Sequence, residues 1–272
     1  MLIMTTIDVI IYSFKNKNLP KVVESVLNNT SSDVKIYVYD QHPLLREHLF
    51  VDERVSYTHI FWDWIYSPAT FKVKAINKSS SEYILFLSDD ILLSDNWDVE
   101  CLAQIASVPD SLISGIGKPS VKKKDLFSIS VDYSTSQSFD ETILVSKNFL
   151  FGSRKVIKRI SYPSDVKYFG EDELLSFRFF HSGTKVFSAP SSLGEDLKER
   201  TLETKYHTFS LEHKYNKIFK EISNEFWIAL GFDSCPIIPL PYNADDVSYN
   251  PNQIDFNDLD SRKFISNIKA IY

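Results

Sequence analysis

The sequence has 272 residues, a net charge of −6, 43% hydrophobic residues and two cysteines, enough chain for one large α/β domain or a domain with a substantial C-terminal extension. Cys101 and Cys235 stand in no paired or metal-binding spacing, which excludes a disulfide framework and points to a reducing compartment. The acid excess excludes wholesale coating of nucleic acid but leaves room for a local basic face.

Residues 1–12 are apolar but interrupted by Asp8, with no cleavage site or stop-transfer run behind them, so they read as a buried strand rather than a leader or a membrane span. The run IDVIIYSF (7–14) is rich in β-branched residues and predicts a strand, followed by a loop at 15–19 and a helix over 20–27. VKIYVY (34–39) predicts a second strand ending in Asp40, and 55–62 a third. Helical spacing over 71–80 leads to EYILFL (82–87), a fourth apolar strand that runs into Ser88-Asp89-Asp90. This alternation predicts an α/β fold with a mostly parallel sheet flanked by helices.

Ligands of such sheets bind outside the carboxyl ends of the strands. Three polar stations lie there: 13–17, 40–42 and 88–90. The middle of the chain, 111–160, is mixed, with strand-like runs at 126–131 and 141–145 and a basic cluster Lys122-Lys123-Lys124. A helix is expected from about Gly170 and a strand over 185–188, closed by Pro190. Beyond it come a charged stretch (195–205), a helical pattern (214–230) and a tail rich in Pro, Asn and Asp. The division expected is a main α/β domain over 1–193 and an extension over 194–272 packed on it.

Two adjacent carboxylates at the end of an apolar strand are costly to bury uncompensated. A hard divalent cation with oxygen ligands is one compensation, and capping of the turn is the plain structural alternative. The string YILFLSDDILLSDNWD (83–98) resembles the strand, acidic motif and following Trp-Asp of GT-A glycosyltransferases. That resemblance implies a GT-A fold, with Asp90 on a manganese or magnesium ion and Asp89 nearer the ribose or a metal-bound water. Ser88 stands where the common form has Asp.

In YFGEDELLSFRFFHSGTKVFSAP (168–190), acids fill a helix's first turn, where they complement the macrodipole, and Leu174, Phe177 and Phe180 predict a core-facing stripe. The segment also resembles the Gly-Glu-Asp helix of GT-A enzymes, notably the soluble N-acetylglucosaminyltransferases that modify protein hydroxyproline. It implies that Glu171 and Asp172 hold donor-sugar hydroxyls and orient the attacking hydroxyl, with Asp172 the base if configuration is inverted. The nearest resemblance implies retention. His213-Lys214-Tyr215 resembles the His-x-Tyr of the same family, which ranks His213 ahead of His207 as a last metal ligand from the C-terminal segment.

By position in that fold, Ser13, Lys15, Lys17, Asp40, Lys72 and Lys74 fall where the nucleotide base, ribose and diphosphate are met. The donor implied is a UDP-sugar, UDP-glucose first and UDP-N-acetylglucosamine second. A cysteine-poor enzyme of this size with AT-rich-looking composition also resembles the small GT-A enzymes of T-even-type phages, which glycosylate hydroxymethylated pyrimidines in DNA. Under that reading it works in the host cytoplasm, modified double-stranded DNA is the acceptor, and either Lys122–Lys124 or Arg154, Lys155, Lys158 and Arg159 hold phosphates. Transfer to a protein or glycan hydroxyl is the alternative acceptor. A nucleotidyltransferase is disfavoured because SFKNKN after the first strand is no Gly-rich phosphate loop, and a non-catalytic sugar-nucleotide binding module is the remaining competitor.

Overall fold

A computed structural model describes residues 5–13, 16–42, 44–60, 68–118, 120–123, 129–132, 137–146, 148–159 and 171–197. The apolar run after Thr5 forms strand β1 (Thr6–Ser13), buried along nearly its whole length. Continuous burial removes the alternation of a half-exposed strand, as expected where helices cover both faces of a sheet. Pro20 stands in the first turn of helix α1 (Leu19–Asn29), where its missing N–H costs nothing, and the helix buries Leu19, Val22, Val23 and Val26 along one stripe. Strands β2 (Asp33–Asp40) and β3 (Val55–His59) follow, then helix α2 (Pro68–Lys78) and strand β4 (Tyr83–Ser88). The third strand stops at His59 rather than continuing to 62; residues 61 and 62 lie outside the described set.

The short strand β5 (Ile91–Leu93) and helix α3 (Trp97–Ser107) come next, then β6 (Leu112–Ile116), β7 (Ser120–Lys123), β8 (Ile129–Asp132), β9 (Asp140–Thr142) and β10 (Phe149–Ser153). Helices α4 (Arg154–Arg159) and α5 (Glu171–His181) precede β11 (Val186–Ala189) and β12 (Gly194–Asp196). Among the described residues the main sheet has eight strands in the order β3-β2-β1-β4-β10-β6-β11-β9. Neighbours β3, β2, β1 and β4 are parallel, β10 runs antiparallel to both β4 and β6, and β11 is parallel to β6 and antiparallel to β9. The sheet is therefore mixed but mostly parallel, as the alternation of elements predicts.

Side chains alternate across it into two cores. One holds Val9, Ile11, Val22, Val26, Leu85, Leu87, Trp97 and Phe149, and the other Ile10, Phe71, Ala75, Ile84, Phe86, Leu150, Leu175 and Phe179. Of the stripe expected on α5, Phe180 is 41% exposed while Leu175, Ser176 and Phe179 are buried, and the side chains of Leu174 and Phe177 lie outside the described set. The acids at the helix start set its N-terminus but not its rotation, which is fixed by what packs beneath: the buried Ser176 hydroxyl accepts the Val145 N–H and donates to the Asp172 carbonyl.

The first residues of the expected extension belong to this framework, since β12 pairs antiparallel with β5. Gly194 permits that contact, because a Cβ there would stand 2.5 Å from the Leu92 carbonyl oxygen. Among the described residues no helix is long and apolar enough to cross a membrane.

Candidate functional site

Strand register sets the site. Ser13 pairs with Asp40 across β1 and β2, and Tyr12 pairs with Ser88 across β1 and β4. The three polar stations therefore end side by side on neighbouring strands, about 5 Å apart per strand, and the acidic turn begins one residue after the last pairing. The backbone of that turn is tied on three sides. The Ser88 N–H donates to the Asn148 carbonyl at 2.8 Å, the Asn16 amide donates to the Asp89 carbonyl at 2.9 Å, and the Leu197 N–H donates to the Asp90 carbonyl at 2.9 Å. Ser88, Asp89 and Asp90 themselves are half-buried, at the rim of the sheet rather than in the core.

Asp40 is fully buried, and its carboxylate is engaged on all sides. The Arg46 fork donates Nε–H to Oδ2 at 2.8 Å and Nη2–H to Oδ1 at 2.6 Å, the Tyr57 hydroxyl donates to Oδ2 at 2.8 Å, and the His42 N–H donates to Oδ1 at 3.1 Å. Four donors match the four lone-pair positions of a carboxylate. Asp40 thus anchors the β2 end, and the loop after it, by a bidentate pair of the strong kind. Burial, opposed by the Arg46 N–H and reinforced by the adjacent Asp40 carboxylate, pushes the Tyr57 phenol up to about 12, so it remains a donor at any ordinary pH. The third Arg46 arm, Nη1, donates to the Asn16 carbonyl at 2.7 Å and joins this knot to the loop after β1.

Ser13 is buried at the end of β1, and its hydroxyl has no partner there. Lys72 is also buried, with its ammonium 5.5 Å above the Phe86 ring of β4, two residues before Ser88. Lys74 is exposed, its ammonium 5.4 Å from the Phe71 ring. Asp172 lies half-buried in the first turn of α5, and Glu171 opens that helix. Lys15, His207 and His213 lie outside the described residues.

The Trp-Asp that follows the acidic motif serves the fold. Trp97 is buried edge-on against Phe149 and Phe151 and donates its indole N–H to Thr30 Oγ1 at 3.0 Å. The fully buried Asp98 accepts the Ser31 N–H at 3.1 Å, the Ser32 N–H at 2.7 Å and the Ser32 hydroxyl at 2.6 Å, which pins the turn between α1 and β2.

Reading residue by residue missed Asn16, Arg46 and Tyr57. Arg46 sits in a loop, QHPLLREHL, whose only sequence signal is a cation six positions after a strand-end aspartate. Of the two basic clusters, the one on α4 lies at the far edge of the sheet. The Arg154 N–H donates to the Glu82 carbonyl just before β4 begins, a strand length of roughly 16–20 Å from the acidic turn. Arg154 also donates to the Ser79 carbonyl and Arg159 to Thr184 Oγ1, so both arginines serve the fold. By contrast, β7, which carries Lys122 and Lys123, follows the end of β6 that shares the edge of the acidic turn, and Lys124 lies outside the described residues.

Among the described residues no group of three or more His, Cys, Asp or Glu could hold a metal ion. Two adjacent carboxylates at a half-buried turn nevertheless suit a hard cation that takes one or two protein carboxylates and completes its shell with substrate phosphates.

No protein-family model matches the chain, and no curated protein matches its sequence. Its structure is similar to the crystal structure of GalNAc-T7 with UDP, GalNAc and Mn2+, at a TM-score of 0.57 and 13% sequence identity over 82% of this chain. The matched region spans about half of that protein, 51% of its length. A mostly parallel eight-stranded sheet flanked by helices, with an acidic turn at the carboxyl end of β4, gives this chain the GT-A-like glycosyltransferase fold.

Proposed function

We propose that the chain is a metal-dependent glycosyltransferase that moves a hexose, glucose first, from a UDP-sugar to a hydroxyl acceptor with retention of configuration. The observation that carries this reading is the acidic turn: two carboxylates on a backbone tethered on three sides, next to the ends of β1 and β2, where a nucleotide would lie. Asp90 would hold the cation with Asp89 beside it, and His213 or His207 would complete the set from the C-terminal segment. A divalent cation bound there would act as a Lewis acid that neutralises charge developing on the departing diphosphate.

The remaining work falls to positioning. Ser13, Lys15, Lys72 and Ser88 would meet the nucleotide and its diphosphate. Asp40 would act there through the loop it anchors, since its carboxylate is filled. Glu171 and Asp172, at the N-terminus of α5, would hold sugar hydroxyls and bring the acceptor oxygen to the anomeric carbon. The bond from that carbon to the diphosphate breaks, the bond to the acceptor oxygen forms, and the acceptor proton passes to the leaving phosphate.

The acceptor we favour is a hydroxymethylated or already glycosylated pyrimidine in double-stranded DNA, with Lys122–Lys124 as the cluster that would meet its phosphates, a reading supported by the start of β7 just after the end of β6. The test is nucleotide release from a panel of nucleotide-sugars with manganese, without acceptor and then with hydroxymethylcytosine DNA. Release that needs metal, is lost in Asp90→Ala and rises with modified DNA is the expected result. Release indifferent to DNA would move the acceptor to a protein or glycan. Donor binding with no turnover on any acceptor would replace the transferase by a binding module.

A further inference from the structure

The acidic turn is joined to the end of β2 by a chain of hydrogen bonds. It starts at the buried Asp40 carboxylate, passes through the Arg46 fork to the Asn16 carbonyl at 2.7 Å, and leaves through the Asn16 side-chain amide to the Asp89 carbonyl at 2.9 Å. The orientation of the amide is dictated by its partners: Asn16 Oδ1 accepts the Asn18 N–H at 2.8 Å, which leaves Nδ2 as the donor to Asp89. On the other flank the Leu197 N–H holds the Asp90 carbonyl. Each peptide of the turn is thus fixed from a different segment, so the direction in which the Asp89 and Asp90 side chains leave the backbone is set by groups that are not ligands.

We propose that Asn16 and Arg46 are positioning residues for the cation: Asn16 holds the Asp89 peptide, and Arg46, braced by Asp40, holds Asn16. The inference rests on the reading of Asp90 as a metal ligand. Partners that orient metal ligands typically govern affinity by about 10–100-fold; here the Arg46 links are charge-assisted and hence stronger than neutral contacts, and they fix the Asn16 peptide from which the neutral amide reaches Asp89. Asn16→Asp separates this role from simple electrostatics. It keeps the Oδ1 acceptor for Asn18 and the main-chain acceptor for Arg46, replaces the donor to Asp89 by a second acceptor, and adds negative charge near the site. Plain attraction would tighten cation binding; loss of positioning weakens it.

The test is a titration of the full chain with Mn2+, read from the electron paramagnetic resonance of the free ion, at saturating UDP. Wild type is compared with Asn16→Asp, Arg46→Lys, Asp90→Ala and Asp98→Asn. Asn16→Asp is expected to weaken Mn2+ binding about 10–100-fold. Arg46→Lys, which loses the planar fork, should weaken it in the same direction. Asp98→Asn reports general destabilisation, lowering the melting temperature with Mn2+ affinity retained. Unchanged or tighter Mn2+ binding in Asn16→Asp, with binding abolished in Asp90→Ala, would overturn the positioning role alone. Unchanged binding in Asp90→Ala would overturn the metal reading beneath it. Should Asn16→Asp fail to fold, wild-type Mn2+ affinity in Arg46→Lys would overturn the proposal.

Discussion

Charged residues in this protein divide by what surrounds them. Asp98 and Asp40 are both fully buried and both supplied with donors, yet one closes the turn between α1 and β2 and the other braces the loop that follows β2. Asp98→Ala would leave the Ser31 and Ser32 N–H groups without their acceptor, and a loss of about 2–4 kcal/mol is expected from the cost of stranding donors that met a charged partner. Urea unfolding of the two proteins measures it. Tyr57 supplies a pH signature. Its phenol, ordinarily at 10.0, is held up to about 12 by burial, so the folded state binds that proton more tightly than the unfolded chain. The sign follows: its contribution to stability is intact below pH 10.0 and is lost as pH rises towards 12. Tyr57→Phe should flatten the stability curve over that interval, with a residual slope from Tyr39 and Tyr83, which burial also raises. An unaltered slope would show that the Tyr57 proton is not retained by folding.

At the scale of elements, the acidic turn depends on pieces distant in sequence. Strand β12 lies against β5 only because Gly194 has no side chain to meet the Leu92 carbonyl and the Ile116 side chain, 2.5 and 3.1 Å from where a Cβ would stand. Gly194→Ala is expected to push β12 outward at a cost of about 1–3 kcal/mol, as for overpacking elsewhere. The Leu197 N–H, which holds the Asp90 carbonyl, should then exchange with solvent faster, a change that amide hydrogen exchange resolves at that residue. Helix α5 carries a second lesson of the same kind. Gly183, with a φ of 70°, lets the chain leave the helix while the Thr184 N–H donates to the Phe179 carbonyl, so the end of the helix is set locally. Its rotation is set by Ser176 and the segment it holds.

For the molecule as a whole, the proposed function requires that cation and nucleotide bind together, since the acidic turn offers two carboxylates and a hard cation takes further oxygen ligands. Mn2+ should bind weakly to the protein alone and at least about tenfold more tightly with UDP, because the diphosphate adds oxygen ligands to those of the acidic turn; calorimetry with and without UDP decides it, and equal affinities would count against a shared cation site. Much of this architecture was legible in the sequence. Long β-branched runs ending in polar residues mark β1, β2 and β4 and the three stations, because a strand buried on both faces, as β1 and β4 nearly are, must be apolar, β2 alternates before its buried end, and a parallel sheet displays its ligand groups at one edge. The acidic turn and the Gly-Glu-Asp helix start were visible as motifs. Strands β6 and β10 were not, because five-residue runs such as LISGI and FLFGS carry a glycine and no helical or alternating period. Only the tertiary structure decided that Trp97-Asp98 serves the fold, that Asp40 is consumed by Arg46 and Tyr57, and that Asn16 reaches Asp89. Those pairings join residues up to 73 positions apart, and a hydrogen bond between distant side chains is fixed by strand register and loop path, which no local pattern of residues encodes.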